Sequence, residues 1–346
     1  MSNTINYSSE MMTNYLQASI MDPDDTFEVL QNSLGNAVMF SIGTDGIFYV
    51  TYETPSTPSG WTRLDLSTIA MVNKFAGGTC TKMSVAQNTQ NGTIGLAMVV
   101  TVSGADNLFL CMGNSNSDMS WLSSPTWVNA AYDSTVTPPS PFQIANVFIS
   151  ETLQGQFIIA DLNNSGIVDR FYIVQGGTQW WNQNSLSIDL NTNDYMGCIG
   201  RSSTGGPIDG MYTGGSIDGA AQLVYCPVYN YFGGGPPSPS NLYLPGNLVP
   251  QAMAAFRNGS SNSTTDLLVT SVADGVGSLY YFAYNNQSTN AQGSLIFQNS
   301  LLINVSNLQA VLTDGTLSVW GLNGADEVFY LTCPYTLGSP GTWSTQ

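Results

Sequence analysis

The chain has 346 residues, of which 42% are hydrophobic and only 8% are charged, against about 25% charged residues in ordinary soluble domains. Lys and Arg number 6 against 23 Asp and Glu, giving a net charge of −17. Such a surface repels phosphate backbones and anionic lipid headgroups, which excludes nucleic acid and polybasic membrane docking as leading interpretations. The chain contains no His, which also excludes Ser-His-Asp catalysis and His-ligated zinc.

Residues 1–26 form an N-terminal segment that precedes the repeats described below. This segment shows no signal peptide, and no part of the chain has the roughly 20 apolar residues of a membrane span. We therefore expect synthesis in the cytoplasm, with leaderless export or release as an open alternative. Helical spacing of apolar residues within 9–20 predicts a short helix, packed on the body of the protein or contacting a partner or a membrane. These apolar residues are Met11, Met12, Tyr15, Leu16 and Ile20.

One unit recurs along the rest of the chain: an apolar strand, a Gly/Asp turn and an aromatic-rich strand. Its six instances begin near residues 37, 96, 155, 209, 266 and 317. The turn acids lie about 50 to 63 residues apart, which is the range of a propeller blade repeat. These acids are Asp45, Asp106, Asp169, Asp218, Asp274 and Asp326.

Each hairpin is flanked by two more candidate strands, and the strand that follows often carries Trp. The aromatic residues at this place are Trp61, Trp127, Trp180, Trp181 and Trp343, with Tyr243 and Phe297 in the fourth and fifth repeats. Four strands per repeat are typical of a propeller blade. We predict an all-β protein in which residues 27–346 form a β-propeller of about six four-stranded antiparallel blades.

The predicted last blade lacks most of its outer strand, because only three residues follow Trp343. An open sheet edge invites aggregation, so we expect another strand to close the ring. Residues 1–26 are the candidate for this strand. A natural chain that continues past Gln346 is the alternative explanation.

The five Cys residues fall in predicted strands and show no C-x-x-C spacing. An odd number of Cys without a secretory signal argues against a disulfide framework. Cys111, Cys226 and Cys333 occupy third strands of non-adjacent repeats, whereas Cys80 and Cys198 occupy first strands. We therefore predict thiols that form no disulfide.

The third hairpin has the form D-x-N-x-S-G-x-x-D, which places oxygen-bearing side chains at alternate positions before a Gly. This spacing suits a hard cation such as Ca²⁺ and resembles the calcium loops of integrin-type propellers. The alternative is a polar hairpin turn without metal. The candidate ligands are Asp161, Asn163, Ser165 and Asp169. We expect no other cofactor.

Two of the few cations lie at matching places in adjacent first strands, Arg201 in CIGR and Arg257 in AAFR. First strands line the centre of a propeller, where two Arg side chains could hold a carboxylate. Pairing with acidic neighbours is the alternative. The pair is distantly similar to the arginine cluster of sialidases, but the S-x-D-x-G-x-x-W box of that family is missing.

The G-x-W elements and the closing stretch SVWGLNGADEVFYLTCP…GTWS resemble the tectonin-type and fungal fucose-lectin-type propellers. The resemblance extends over residues 27–346 and implies a glycan-binding propeller with several non-identical sites. The resemblance does not imply that fucose is the ligand, because the Arg/Glu pairs of the fucose lectins do not recur in each repeat. The candidate ligand-binding residues are Trp61, Trp127, Trp180, Trp181, Trp343, Arg201 and Arg257.

Three functions remain open. The first is a lectin-like module whose Trp rings stack on the apolar faces of sugars in glycans or glycoproteins; the same rings could instead fill the blade cores. The second is a protein-recognition or targeting module of a larger assembly, such as a toxin or defence protein. The third is a glycoside-acting enzyme, which needs two carboxyl groups about 5 to 9.5 Å apart. No motif identifies such a pair among the five Glu residues, so we expect no enzymatic activity.

Overall fold

The computed structural model describes residues 27–31, 37–42, 48–53, 61–65, 78–87, 93–114, 127–129, 144–151, 157–163, 167–175, 179–183, 186–189, 196–199, 210–217, 220–227, 240–258, 265–283, 291–325 and 328–345. These residues are almost all in β-strands, apart from 3-10 turns at Pro245–Asn247 and Ser300–Leu302. No helix among them has the length and apolarity needed to cross a membrane. The helix predicted within residues 9–20 lies outside the described residues.

The strands form six sheets of consecutive, antiparallel strands, called here blades 1 to 6 in chain order. Blade 1 consists of β1 (Phe27–Gln31), β2 (Ala37–Ile42), β3 (Phe48–Glu53) and β4 (Trp61–Asp65). Blade 2 consists of β5 (Thr79–Gln87), β6 (Thr93–Val102), β7 (Ala105–Asn114) and β8 (Trp127–Asn129). Blade 3 consists of β9 (Ile144–Glu151), β10 (Phe157–Asn163), β11 (Ile167–Gln175), β12 (Gln179–Gln183) and β13 (Leu186–Asp189).

The second half of the chain repeats this pattern. Blade 4 consists of β14 (Met196–Ile199), β15 (Gly210–Ile217), β16 (Ala220–Pro227) and β17 (Ser240–Tyr243). Blade 5 consists of β18 (Ala252–Arg257), β19 (Thr265–Ala273), β20 (Val276–Phe282) and β22 (Ser294–Gln298), while β21 (Ala291–Gln292) pairs with β17 of blade 4. Blade 6 consists of β23 (Asn307–Thr313), β24 (Thr316–Leu322), β25 (Val328–Thr336), β26 (Ser339–Pro340) and β27 (Ser344–Thr345).

The first strands of the six blades form a closed inner ring. Each first strand contacts the first strand of the next blade, in the order β1, β5, β9, β14, β18 and β23, and β23 contacts β1 again. The six hairpins predicted from the repeat coincide with the second and third strands of the blades. The predicted six-bladed, all-β propeller is therefore confirmed.

Two-residue turns connect several of these strands with positive φ at both positions. Asp274 and Gly275 have φ values of 51° and 77°, and Asp314 and Gly315 have 49° and 74°. Asp-Gly pairs suit type I′ turns because Gly tolerates positive φ without a steric penalty, and the twist of these turns matches that of the flanking strands. The Asp/Gly turns thus set the register of the hairpins that they close.

The described cores lie between neighbouring blades, since middle strands such as β6 and β19 are buried on both faces. In β19, Leu268 packs into a cluster shared with blade 6, whereas Leu267 and Val269 pack into a cluster shared with blade 4. Alternate residues of a strand point to opposite faces, so one apolar run supplies two cores. Each such side chain contributes about 1.5–3 kcal/mol by burial, and a blade depends on its neighbours for stability.

The outer strand of blade 6 directly follows Trp343 and is two residues long. Ser344 and Thr345 form β27 and pair with Thr332 and Leu331 of β25, so the chain's own last residues occupy the fourth position of the blade. Residues 1–26 lie outside the described residues, so a ring-closing strand in that segment stays a prediction.

The five Cys residues lie in the predicted strands. Cys80, Cys111 and Cys333 are buried and form no disulfide. The Cys80 Sγ donates a hydrogen bond to Met98 Sδ at 3.1 Å, and burial raises the pKa of Cys80 to about 12. Cys198 and Cys226 lie in β14 and β16, and their side chains are outside the described part of the chain.

Candidate functional site

The aromatic residues predicted at the blade edges all lie in or beside outer strands. Side chains are described for three of them, Tyr243, Phe297 and Trp343. The other four lie at described strand positions, but their side chains are outside the described part of the chain. These are Trp61 in β4, Trp127 in β8, and Trp180 and Trp181 in β12. Their ligand-binding role stays a prediction.

Trp343 lies in the core between blades 5 and 6. It is only 8% exposed, and its ring centroid is 5.9 Å from that of Phe297 on the outer strand of blade 5. The indole Nε1 is buried without a hydrogen-bond partner among the described residues. Trp343 therefore fills a core, the alternative left open by the sequence, and has no exposed ring face on which a sugar could stack.

Tyr243 takes the opposite orientation at the end of β17. The side chain is 40% exposed, whereas the preceding Leu242 is 2% exposed and packs between blades 4 and 5. Strand β17 pairs in parallel with β21, with Tyr243 opposite Gln292, and the Gly293 N–H donates to the Tyr243 carbonyl oxygen at 2.9 Å. This backbone pairing ties blade 4 to the segment that leads into the outer strand of blade 5.

The exposed side chains of Asn241, Tyr243 and Gln292 form a surface that we call the outer seam. Asn241 and Tyr243 lie two residues apart on one strand, and Gln292 is the cross-strand partner of Tyr243, so all three point to the same side. An aromatic ring beside two neutral amides offers a stacking face together with hydrogen-bond donors and acceptors. Sequence reasoning identified Tyr243 only as a strand landmark. Its alternation with the apolar Leu242 and Leu244 was the signal for an outward orientation.

The centre of the ring contains a carboxyl group that sequence reasoning did not single out. Glu28 lies on the inner strand β1, and its carboxyl is hydrogen-bonded to the Ser84 side chain, the Val85 backbone and the Gln309 side chain. Burial outweighs these hydrogen bonds and raises the pKa of Glu28 to about 8. No spacing in the sequence could have found this group, since its partners come from distant parts of the chain.

A buried carboxyl group, that of Asp266, joins blades 5 and 6. The hydroxyls of Tyr281 and Tyr335 both donate to Asp266 Oδ2, and Asn258 Nδ2 donates to Oδ1 at 3.3 Å. Burial and the Asp266 carboxylate raise the pKa of Tyr335 to about 12, and they also raise the pKa of Tyr281. Because all four of these side chains are buried and hydrogen-bonded to one another, the cluster serves the fold.

The two Arg residues predicted at the centre have different outcomes. Arg257 is the last residue of β18, the inner strand of blade 5, and is half-buried. Arg201 lies outside the described residues. The structure therefore confirms the inner-strand position of Arg257, and the joint binding of a carboxylate by the two stays a prediction.

The predicted calcium loop falls at the hairpin between β10 and β11. Asp161 and Asn163 lie in β10 and Asp169 in β11, with an irregularity in the pairing after Asp161, while Ser165 is outside the described residues. No group of three or more His, Cys, Asp or Glu side chains suited to a metal ion occurs among those that the structure describes. The side chains of this loop are not among them, so calcium binding remains a prediction.

No protein-family model and no curated protein matches the chain. Solved structures do match it. The lectin of Aleuria aurantia bound to Fucα1-6GlcNAc is 10% identical with a TM-score of 0.52, covering 95% of this chain and 96% of the lectin. The α-L-arabinanase of Penicillium chrysogenum complexed with arabinobiose is 12% identical with a TM-score of 0.55, covering 92% and 95% of the two chains. The Hadza microbial sialidase Hz136 is 9% identical with a TM-score of 0.55, covering 90% of this chain and 66% of the sialidase.

Identities this low show similarity of fold alone. The lectin of Aleuria aurantia is described as a six-bladed β-propeller, in agreement with the six blades found here. The chain is thus a β-propeller similar in architecture to lectins and to carbohydrate-processing enzymes.

Proposed function

We propose that this protein is a lectin-like β-propeller that binds glycans at several weak, non-identical sites on the outer edges of its blades. The observation that carries the proposal is the outer seam, where the exposed Tyr243 ring lies beside the Asn241 and Gln292 amides. Sugars present apolar C–H faces to such a ring and hydroxyls to such amides. The similar propellers include a lectin bound to a fucosylated disaccharide and an arabinanase bound to arabinobiose, which supports carbohydrate as the ligand class.

The chemistry of the seam sets the expected binding behaviour. The three side chains are uncharged, so stacking and neutral hydrogen bonds carry the affinity. Screening by salt acts on charges, and binding should therefore change little with ionic strength. Several weak sites on one chain gain avidity on clustered glycans, so binding to a multivalent surface should exceed binding to a free sugar.

A glycan array followed by titration of the best glycan tests the proposal. Tyr243→Ala should abolish binding at the outer seam, while Tyr243→Phe should largely retain it because the ring remains. Leu337→Ala provides the control, since Leu337 is 69% exposed and lies in blade 6, away from the seam. Equal binding by the parent and Tyr243→Ala would reject the outer seam as a site.

Two experimental outcomes would favour a different function. If the parent binds no glycan, the protein-recognition or targeting module becomes the better interpretation. If the parent releases reducing sugar from a bound glycan, a glycoside-acting enzyme becomes the better interpretation. Calcium binding is tested separately by thermal unfolding. If residues 161–169 hold the ion, Ca²⁺ should raise the melting temperature, and Asp161→Ala should abolish that rise.

A further inference from the structure

Glu28 lies where the ring of blades closes. Its carboxyl, on β1 of blade 1, is hydrogen-bonded to Ser84 and Val85 on β5 of blade 2 and to Gln309 on β23 of blade 6. Blades 1 and 6 come from opposite ends of the described chain, so non-covalent contacts such as those between β1 and β23 hold them together. One side chain therefore connects the first blade to both of its neighbours.

The same network continues into blade 3. The Ser84 Oγ accepts a hydrogen bond from the Ile149 N–H of β9 at 3.2 Å. Gln309, Glu28, Ser84 and Ile149 thus link the inner strands of blades 6, 1, 2 and 3. Such a network adapts to a neutral carboxyl group, because a Ser hydroxyl and a Gln amide can each donate or accept.

The influences on the Glu28 pKa are burial and three hydrogen bonds, and no cation is among them. Among the strands packed against β1, the ionisable side chains are Cys80 and Lys82 on β5, and β2 and β23 carry none. Burial is the largest influence on the Glu28 pKa and outweighs the three hydrogen bonds that oppose it. Glu28 is half-buried, and loss of its proton would place a charge where burial disfavours it, so we expect water to be drawn in between the strands.

We propose that the protonated Glu28 carboxyl group is a clasp between the last and first blades, and that loss of its proton loosens the ring at this point. In this way the protein senses pH without a His residue. The inference is independent of the proposed glycan binding, since Glu28 is on an inner strand and the outer seam is at the blade edge.

The linkage between proton binding and folding gives the direction in which stability changes with pH. The pKa of Glu28 rises from 4.5 to about 8 on folding, so between these values the folded protein holds one proton more than the unfolded chain. Stability is then fully present at low pH and decreases as pH rises, with the folding constant falling up to about tenfold per pH unit until the pKa of about 8 is passed. Because the chain contains no His, no other side chain with an ordinary pKa titrates between about pH 5 and 8.

Urea unfolding at pH 6, 7, 8 and 9 tests the proposal on the full chain, with all pH values set by one mixed buffer. The parent should lose at least about tenfold in folding constant between pH 6 and 8, and Glu28→Gln should lose little over this range. Glu53→Gln, which removes a carboxyl group from β3 of the same blade, should behave like the parent. A pH-independent parent, or a Glu28→Gln protein with the parent's pH dependence, would overturn the proposal.

A second measurement avoids any substitution. The chain contains only five Glu residues, so selective ¹³C labelling of Glu should give five carboxyl signals. One should titrate near pH 8, whereas ordinary Glu carboxyls titrate near pH 4.3. Amide hydrogen exchange in β5 and β23, corrected for its intrinsic pH dependence, should accelerate above pH 8 relative to β19 of blade 5. Five ordinary titrations, or protection in β5 and β23 unchanged relative to β19, would reject the clasp.

Discussion

In blade 4 the outer strand ends on Tyr243, which is 40% exposed, whereas in blade 6 the residue before the outer strand β27 is Trp343, which is 8% exposed. Both are aromatic residues at the position that marks the fourth strand of the repeat. Their surroundings differ. Phe297 on the outer strand of blade 5 contacts the Trp343 ring, whereas the Tyr243 backbone is paired with β21 and its ring points outward.

The way in which neighbouring blades are joined explains this difference. Blades 4 and 5 are linked at the edge by backbone pairing between β17 and β21, and Leu242 and Phe282 fill the core between these blades. Blades 5 and 6 meet there through side chains, and the Trp343 ring supplies the packing. Recurrence of an aromatic residue at blade edges therefore predicts a strand position, and the junction decides whether the ring is available to a ligand.

Replacement of Trp343 should break the blade 5–6 junction most severely. Trp343→Ala removes a buried indole and should lower the free energy of unfolding by about 3–5 kcal/mol, measured by urea denaturation. Trp343→Phe should cost clearly less, because it keeps a ring and removes an indole N–H that is buried without a partner among the described residues. A loss below about 1 kcal/mol for Trp343→Ala would contradict the core position.

The polar cluster at the same junction should give the next largest effect. Asp266→Ala leaves the hydroxyls of Tyr281 and Tyr335 without their acceptor and should lower the free energy of unfolding by about 2–4 kcal/mol. Combining it with Tyr281→Phe and Tyr335→Phe should cost less than the sum of the separate changes, since both sides of each hydrogen bond are then apolar. Strict additivity would show that the three side chains do not act together.

The outer seam should give the smallest stability effect and so sharpen the contrast with Trp343. Tyr243→Ala should change the free energy of unfolding by less than about 0.5 kcal/mol, as is usual for exposed side chains. The β17–β21 pairing depends on the backbone and survives the change. Thermal unfolding of Tyr243→Ala beside the parent provides the measurement. A loss comparable to that of Trp343→Ala would mean that the ring supports the blade 4–5 junction and is not free to bind a glycan.

Much of the fold was predictable because its signals are local. Alternation of apolar residues with period two and Asp-Gly pairs specify strands and tight turns within a few residues. Six recurrences of one hairpin then imply six blades, as the structure confirms. The same repeat placed Cys111 and Cys333 in third strands, too far apart to pair, and both are buried thiols outside any disulfide.

The candidate sites were less predictable, because they depend on which faces and chain segments meet. The sequence placed Trp343 and Tyr243 at equivalent blade edges. The ring that packs against Trp343 is Phe297, which belongs to a neighbouring blade.

By itself the sequence determined the number of blades and the strand order within them, because short-range periodicity carries that information. Only the tertiary structure decided which aromatic rings face solvent and that Glu28 meets Ser84, Val85 and Gln309. Closing the ring brings the first inner strand against the last, and the burial created there shifts the pKa of Glu28. That environment is made by residues from opposite ends of the chain, so no local pattern of residues encodes it.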